Sequence, residues 1–232
     1  MRIRLIRRPS PSTPKQVYLL DLDNTLHRAS AHILPEINRQ MTRYLSEQLA
    51  LTPEAASQLR TEYWRRYGAT LLGMIRHHGT DPHHFLHHTH QFEERLDRIS
   101  GRHGSVPQQL RRLPGVRVLL TNAPRNYAVA LCKALGLYKH LHAVVSIEDM
   151  VIHGQWRPKP AQVLWPRMKQ GTRAKRPVFV DDTLEHLQAA SQHAIRPVWI
   201  TPPGLGFGAR RPQGRVRHRI RHFRDMARIK LG

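Results

Sequence analysis

Apolar residues fall along this chain in two kinds of pattern, short continuous runs and longer helical stripes. Five runs, Val17–Leu20, Val116–Leu120, Ala143–Ile147, Val178–Val180 and Val198–Ile200, are built largely from β-branched, leucine and aromatic residues. Continuous runs of this kind suit strands buried on both faces of a parallel sheet. Helical stripes lie between them. Asn126–Leu135 ends at Gly136, a residue suited to the left-handed position just past a helix. Pro160 suits the first position of a helix running to Gln170, and Thr183–His193 places Leu184, Leu187 and Ala190 on one face. The alternation predicts an α/β fold with a doubly wound parallel sheet.

Residues 27–113 break that rhythm, with helical stripes and no strand-like run. Thr52-Pro53-Glu54 reads as a capping threonine, a first-position proline and a first-turn acid, opening a helix to Tyr67. Ala69–Arg76 and His83–Ile99 are also helical in pattern. The expected organisation is a flexible basic arm over 1–15, an α/β core over 16–34 and 111–232, and an all-helical cap inserted over 35–110. Pro9–Pro14 and Pro202–Gly214 read as loops.

With 232 residues, 40% of them apolar, the chain is long enough for a buried core and is not a disordered polymer. Its single cysteine, Cys132, excludes an internal disulfide framework and a multi-cysteine zinc site, and it sits in a helical apolar pattern as a small core residue. No apolar run reaches the ~18–20 residues that span a bilayer, and the start lacks the apolar stretch of a secretory signal. The expectation is a soluble cytoplasmic protein. The net charge of +22 is uneven: residues 36–110 carry nine basic and eight acidic groups, residues 209–232 nine and one. Such a surface attracts phosphate esters and nucleic acid, or it tunes solubility alone. The tail Arg210–Lys230 reads either as a polyanion contact or, through Val216–Ile220, as a closing strand and short helix.

Candidate chemistry sits just after three of the expected strands. The first ends in Asp21-Leu22-Asp23-Asn24-Thr25, the second in Thr121-Asn122 and the fourth in Asp181-Asp182-Thr183. Ligands of open α/β sheets bind at the carboxyl ends of strands, and Lys159, in the loop after the third, reaches the same crevice. Asp21, Asp23, Asp181 and Asp182 brought together would repel one another without a cation. Hard oxygen donors without histidine or cysteine suit Mg²⁺.

This set resembles the haloacid dehalogenase superfamily of Mg²⁺-dependent phosphohydrolases, over about Gln16 to Ile200. Its DxDxT motif matches Asp21, Asp23 and Thr25, its second-motif hydroxyl Thr121, its lysine Lys159 and its acidic pair Asp181 and Asp182. The helical insertion resembles the family's helical cap. The resemblance implies that Asp21 is a nucleophile forming an aspartyl-phosphate and that Asp23 is the general acid and base. It implies that Asp21, the Asp23 carbonyl, Asp182 and Asp181 hold Mg²⁺, the last directly or through water. It also implies that Lys159, Thr121 and backbone N–H groups around Asn24, Thr25 and Asn122 bind phosphate. The dehalogenase branch lacks the second aspartate, because a halide leaving group needs no proton, so Asp23 favours phosphate esters.

Asp21–His27, Tyr67–Leu71 with Gly73, and Phe179–Leu187 are further similar to the pyrimidine 5′-nucleotidase branch, which implies a nucleoside monophosphate as the small phosphorylated substrate. A sugar-phosphate phosphatase or phosphomutase, and a basic nucleic-acid-binding protein retaining the crevice, are the alternatives. Seven of the 14 residues His77–His90 are histidine, with i,i+4 pairs His83/His87 and His84/His88. Such pairs bind transition metals on a helix face or form an exposed, weakly basic surface.

Overall fold

The computed structural model describes residues 3, 5–6, 16–29, 33–91, 105–201 and 214–229. The chain forms two compact units, one of residues 1–28 and 94–232 and one of Ala29–Glu93.

The first unit contains strands β1 (Val17–Leu20), β2 (Val116–Leu120), β3 (Ala143–Val145), β4 (Val151–Ile152), β5 (Gln155–Trp156), β6 (Val178–Asp181), β7 (Arg196–Ile200) and β8 (His218–Ile220). Six of them make one sheet in the order β3-β2-β1-β6-β7-β8, with every neighbouring pair parallel. All four residues of β1 and of β6 are buried, and all of them but Asp181 are apolar or aromatic, as strands covered on both faces require. Trp165, Met168, Phe179 and Trp199 fill the core against Leu19, Val118 and Val145. The order reverses beside β1: the chain runs out through β2 and β3, then returns to β6. Such a switch point opens a crevice at the carboxyl ends of the strands.

The expected doubly wound α/β fold is therefore present, with local differences. β3 stops at Val145 because Ser146 and Asp149 cap each other across the 3-10 turn Ile147–Met150. The β4–β5 hairpin, absent from the sequence reading, turns through His153 and Gly154, with φ of 51° and 74°. Two residues with positive φ are what a two-residue hairpin turn demands, but its two-residue strands are too short to show a period. The helix after Lys159 starts at Leu164, not at Pro160. Ala161 N–H donates to the Pro158 carbonyl and Leu164 N–H to that of Ala161, so two successive turns precede it. The helix Arg125–Ala134 does end as expected, with Gly136 at φ 66°.

Parts of both termini pack onto this unit. Ile6 N–H donates to the His142 carbonyl at 2.9 Å and Leu5 pairs with Ala143 at the sheet edge, so this part of the expected arm is held against β3. β8 completes the other edge, and Val216, Ile220, Phe223 and Met226 are buried, which is the closing-strand reading of the tail. Arg219 lies over the Trp199 ring at 4.8 Å. The helix Val106–Arg112, which the expected cap boundary at 110 would cut, belongs wholly to this unit and buries Leu110. The loops Pro9–Pro14 and 202–213 and the second half of the expected helix His83–Ile99 lie outside the described residues.

The second unit holds the helices Leu34–Leu49, Pro53–Tyr67, Thr70–His78 and Pro82–Thr89. Thr52 caps the second as expected, its hydroxyl accepting from Ala55 N–H. Gly73 allows the third to approach the second: a Cβ there would lie 2.2 Å from Tyr63 Cγ. Tyr44, Leu45, Tyr63, Leu71, Met74 and Phe85 are buried. No helix among the described residues is long and apolar enough to cross a membrane.

Candidate active site

The strand ends deliver the site. Asp21 N–H extends the β1 ladder to the Val180 carbonyl at 3.0 Å, and Thr121 N–H extends β2 to that of Val145 at 3.0 Å. Asp21, Thr121 and Asp181 are thus fixed by backbone pairing at three adjacent strand ends. Lys159 arrives from the segment after the β4–β5 hairpin and is 1% exposed. Its Nζ donates to Asp21 Oδ1 at 2.7 Å and to Asp181 Oδ2 at 2.8 Å. The Asn122 side chain holds the Lys159 backbone from both sides, its Nδ2 donating to the carbonyl and its Oδ1 accepting from the N–H.

Asp181 is fully buried and its carboxylate also accepts from Thr183 N–H and faces His186 Nδ1. Burial opposes its charge, but Lys159 and His186 more than offset this and hold its carboxyl below the usual range. Asp21 and Asp182 fare differently. Burial, set against Lys159, leaves Asp21 pushed up to about 6. Burial and the charges of Asp21 and Asp181 push Asp182 up to about 8. Each of these three residues offers an oxygen, all within 4.8 Å of one another. Three carboxylates against one ammonium leave a negative excess in a water-poor place, and all the donors are hard oxygens. A small divalent cation such as Mg²⁺ fits both facts.

Asp23 stands outside this group. Its Oδ1 faces His27 Nε2 at 2.8 Å and accepts from the Tyr127 hydroxyl at 2.8 Å. The Tyr127 phenol, raised well above its ordinary value by burial and by Asp23, is a donor at any working pH. Asn24 occupies the left-handed region at φ 60°. Thr25 is buried, its hydroxyl without a hydrogen-bond partner among the described residues. Thr121 Oγ1 accepts from Ala123 N–H, and its own proton has another oxygen to find. Cys132 is a core residue as expected, its thiol pushed up to about 12 by burial.

Motif spacing points to Asp21, Asp23, Lys159, Asp181 and Asp182 and gives no role to His27, Tyr127 or His186. His186 stands one turn into the helix Leu184–Ser191 that starts right after the acidic pair, so its reach back to Asp181 was legible from spacing. Tyr127 lies far from Asp23 in sequence and carried no such signal.

Comparisons with known proteins agree with this geometry. Residues 15–193 match the family model for haloacid dehalogenase-like hydrolases. The chain is 38% identical over 101 residues to the GMP/IMP nucleotidase YrfG of Escherichia coli, covering 42% of this chain and 43% of that protein. It is 26% identical over 73 residues to Phosphate metabolism protein 8 of Saccharomyces cerevisiae, covering 32% of this chain and 23% of that protein. The matches thus span less than half the length of these relatives. A phosphoglycolate phosphatase structure from Lactobacillus plantarum, described as putative, superposes with a TM-score of 0.57 at 15% identity, covering 93% of this chain and 99% of the other. That likeness concerns the fold. With the family model covering most of the chain, the chain belongs to the haloacid dehalogenase-like hydrolases.

Proposed function

We propose that this hydrolase is a Mg²⁺-dependent phosphomonoesterase acting on nucleoside 5′-monophosphates through an aspartyl-phosphate on Asp21. The observation that carries this reading is the different setting of the two motif carboxylates. Asp21 lies in the buried group with Lys159 and Asp181, while Asp23 is held apart by His27 and Tyr127. Two carboxylates in separate environments suit two roles. Asp21 attacks phosphorus and the ester oxygen leaves; Asp23 gives that oxygen a proton, then takes one from the water that hydrolyses the aspartyl-phosphate. Lys159 neutralises nucleophile and phosphoryl oxygens together, and Thr121 with nearby backbone N–H groups holds those oxygens. Mg²⁺ held by Asp21, Asp182, the Asp23 carbonyl and, directly or through water, Asp181 would supply further charge neutralisation at the phosphoryl group.

That the E. coli relative is a GMP/IMP nucleotidase supports a nucleotide over a sugar phosphate, and both of those nucleotides are purines. The proposed substrate class is therefore nucleoside monophosphates in general and not pyrimidines alone. Phosphate release across a panel of nucleoside monophosphates and sugar phosphates tests this. The expected result is preferential release from nucleotides, lost in EDTA and restored by added Mg²⁺. Release that ignores EDTA contradicts the cation, and a sugar phosphate preferred about tenfold contradicts the substrate class.

The Asp23 partners give a separate expectation. Tyr127→Phe removes one hydrogen bond to a charged oxygen while His27 remains, a loss of about 1.5–3 kcal/mol at most. We expect kcat/KM on a nucleoside monophosphate to fall about threefold to thirtyfold, with a smaller loss on p-nitrophenyl phosphate, whose leaving group needs little protonation. Equal losses on both substrates would show that Tyr127 only supports packing.

A further inference from the structure

We propose that His84 and His88 form a binding site for a divalent transition-metal ion of the zinc type on the helical unit. The two residues stand at i,i+4 on the helix Pro82–Thr89, both exposed, with ring centroids 4.0 Å apart. Their ring nitrogens are the informative feature. His88 Nδ1 lies 2.8 Å from the His84 carbonyl, which can only accept, so this nitrogen carries the proton and Nε2 the lone pair. His84 Nδ1 lies 2.7 Å from the Tyr44 hydroxyl, an oxygen able to accept from Nδ1–H when His84 holds the same tautomer as His88. Neither Nε2 has a hydrogen-bond partner among the described residues. A ring whose Nδ1–H is tied to an oxygen while Nε2 is left unpartnered is the arrangement by which supporting bonds orient a metal-binding histidine.

Nearby histidines differ in this respect. His77 and His78 turn Nε2 to the hydroxyls of Tyr67 and Tyr63, at 2.6 and 2.8 Å, and His87 turns Nε2 to the Gln91 amide at 3.0 Å. The surrounding charge also permits a cation. Although the whole chain is strongly basic, residues 29–93 hold six arginines and six carboxylates, so the helical unit carries no positive excess. Two imidazoles select a borderline ion such as Zn²⁺, Ni²⁺ or Cu²⁺, with water completing the coordination, and do not suit Mg²⁺. This site shares no residue with the carboxylate cluster.

Equilibrium dialysis of the full chain against Zn²⁺, in excess Mg²⁺ to occupy the carboxylates, tests the assignment. His84→Gln and His88→Gln are each expected to lose one equivalent of bound Zn²⁺ or to weaken its binding about tenfold or more. Tyr44→Phe, which removes only the supporting oxygen, should weaken it about 10-fold to 100-fold. His78→Gln should bind as the parent does. Circular dichroism confirms that each variant is folded, as exposed side chains at positions 84 and 88 permit. Zn²⁺ binding unchanged in both His84→Gln and His88→Gln overturns the site. An equal loss in His78→Gln overturns it too, showing diffuse attraction to a histidine-rich surface.

Discussion

Asp21→Asn is expected to lower phosphate release about 10³-fold or more while the protein stays folded and still binds its substrate. The asparagine keeps the shape and the backbone pairing to Val180 but lacks the negative oxygen proposed to attack phosphorus. Stability carries a second signature. Burial raises the Asp21 carboxyl to about 6, above its ordinary value, so ionising it costs the folded state free energy. The stabilisation from a protonated Asp21 is present at low pH and is lost as pH rises through about 6. Without divalent ions, the Tm of the parent should therefore fall as pH rises from about 5 to 7 more steeply than that of Asp21→Asn. Phosphate release above a tenth of the parent rate in Asp21→Asn would contradict the nucleophile assignment.

Lys159→Met should be the most damaging change to the fold among the site residues. The lysine is 1% exposed and bonded to two buried carboxylates, and methionine keeps its bulk without the charge. Breaking a buried ion pair from one side leaves uncompensated charge and typically costs about 3–5 kcal/mol. Asp21 and Asp181 would then both have raised folded-state values, so their stabilising protonated forms are lost as pH rises. The Tm deficit of the variant against the parent should shrink on acidification from about pH 7 to 5, and Mg²⁺ should recover part of it. Thermal melts across pH with and without Mg²⁺ check this. A deficit that is independent of pH would mean that Lys159 matters for packing alone.

Much of this architecture was legible because parallel strands buried on both faces must be continuous apolar runs. β1 and β2 fall on the residues expected, Asp21 and Thr121 stand one step beyond their ends, and Asp181 is the last residue of β6. The start of the helix after Lys159 was not legible, because Pro160 suits a turn as well as a first helical position, and local hydrogen bonds favoured the turn. The β4–β5 hairpin is too short to impose a period. The boundary expected at 110 falls inside the helix Val106–Arg112, whose membership depends on what Leu110 packs against, which periodicity does not state. Within the site, Asp21 and Lys159 were found by motif and order. Tyr127 was not, since a tyrosine in a helical apolar stripe looks like core until the fold brings its hydroxyl to Asp23. Local spacing points to groups that are neighbours in sequence and is blind to what only the tertiary fold assembles.

Trapping the covalent intermediate tests the central claim most directly. In Asp23→Asn, attack by Asp21 remains possible while hydrolysis of the aspartyl-phosphate, which needs a base to activate water, slows about 10²–10⁴-fold. The variant is mixed with a substrate of good leaving group such as p-nitrophenyl phosphate, quenched, reduced with borohydride and mapped by peptide mass spectrometry. The account predicts that position 21 is converted to homoserine, in step with release of p-nitrophenol. Release of p-nitrophenol with position 21 unmodified, or with the adduct on another residue, would contradict it.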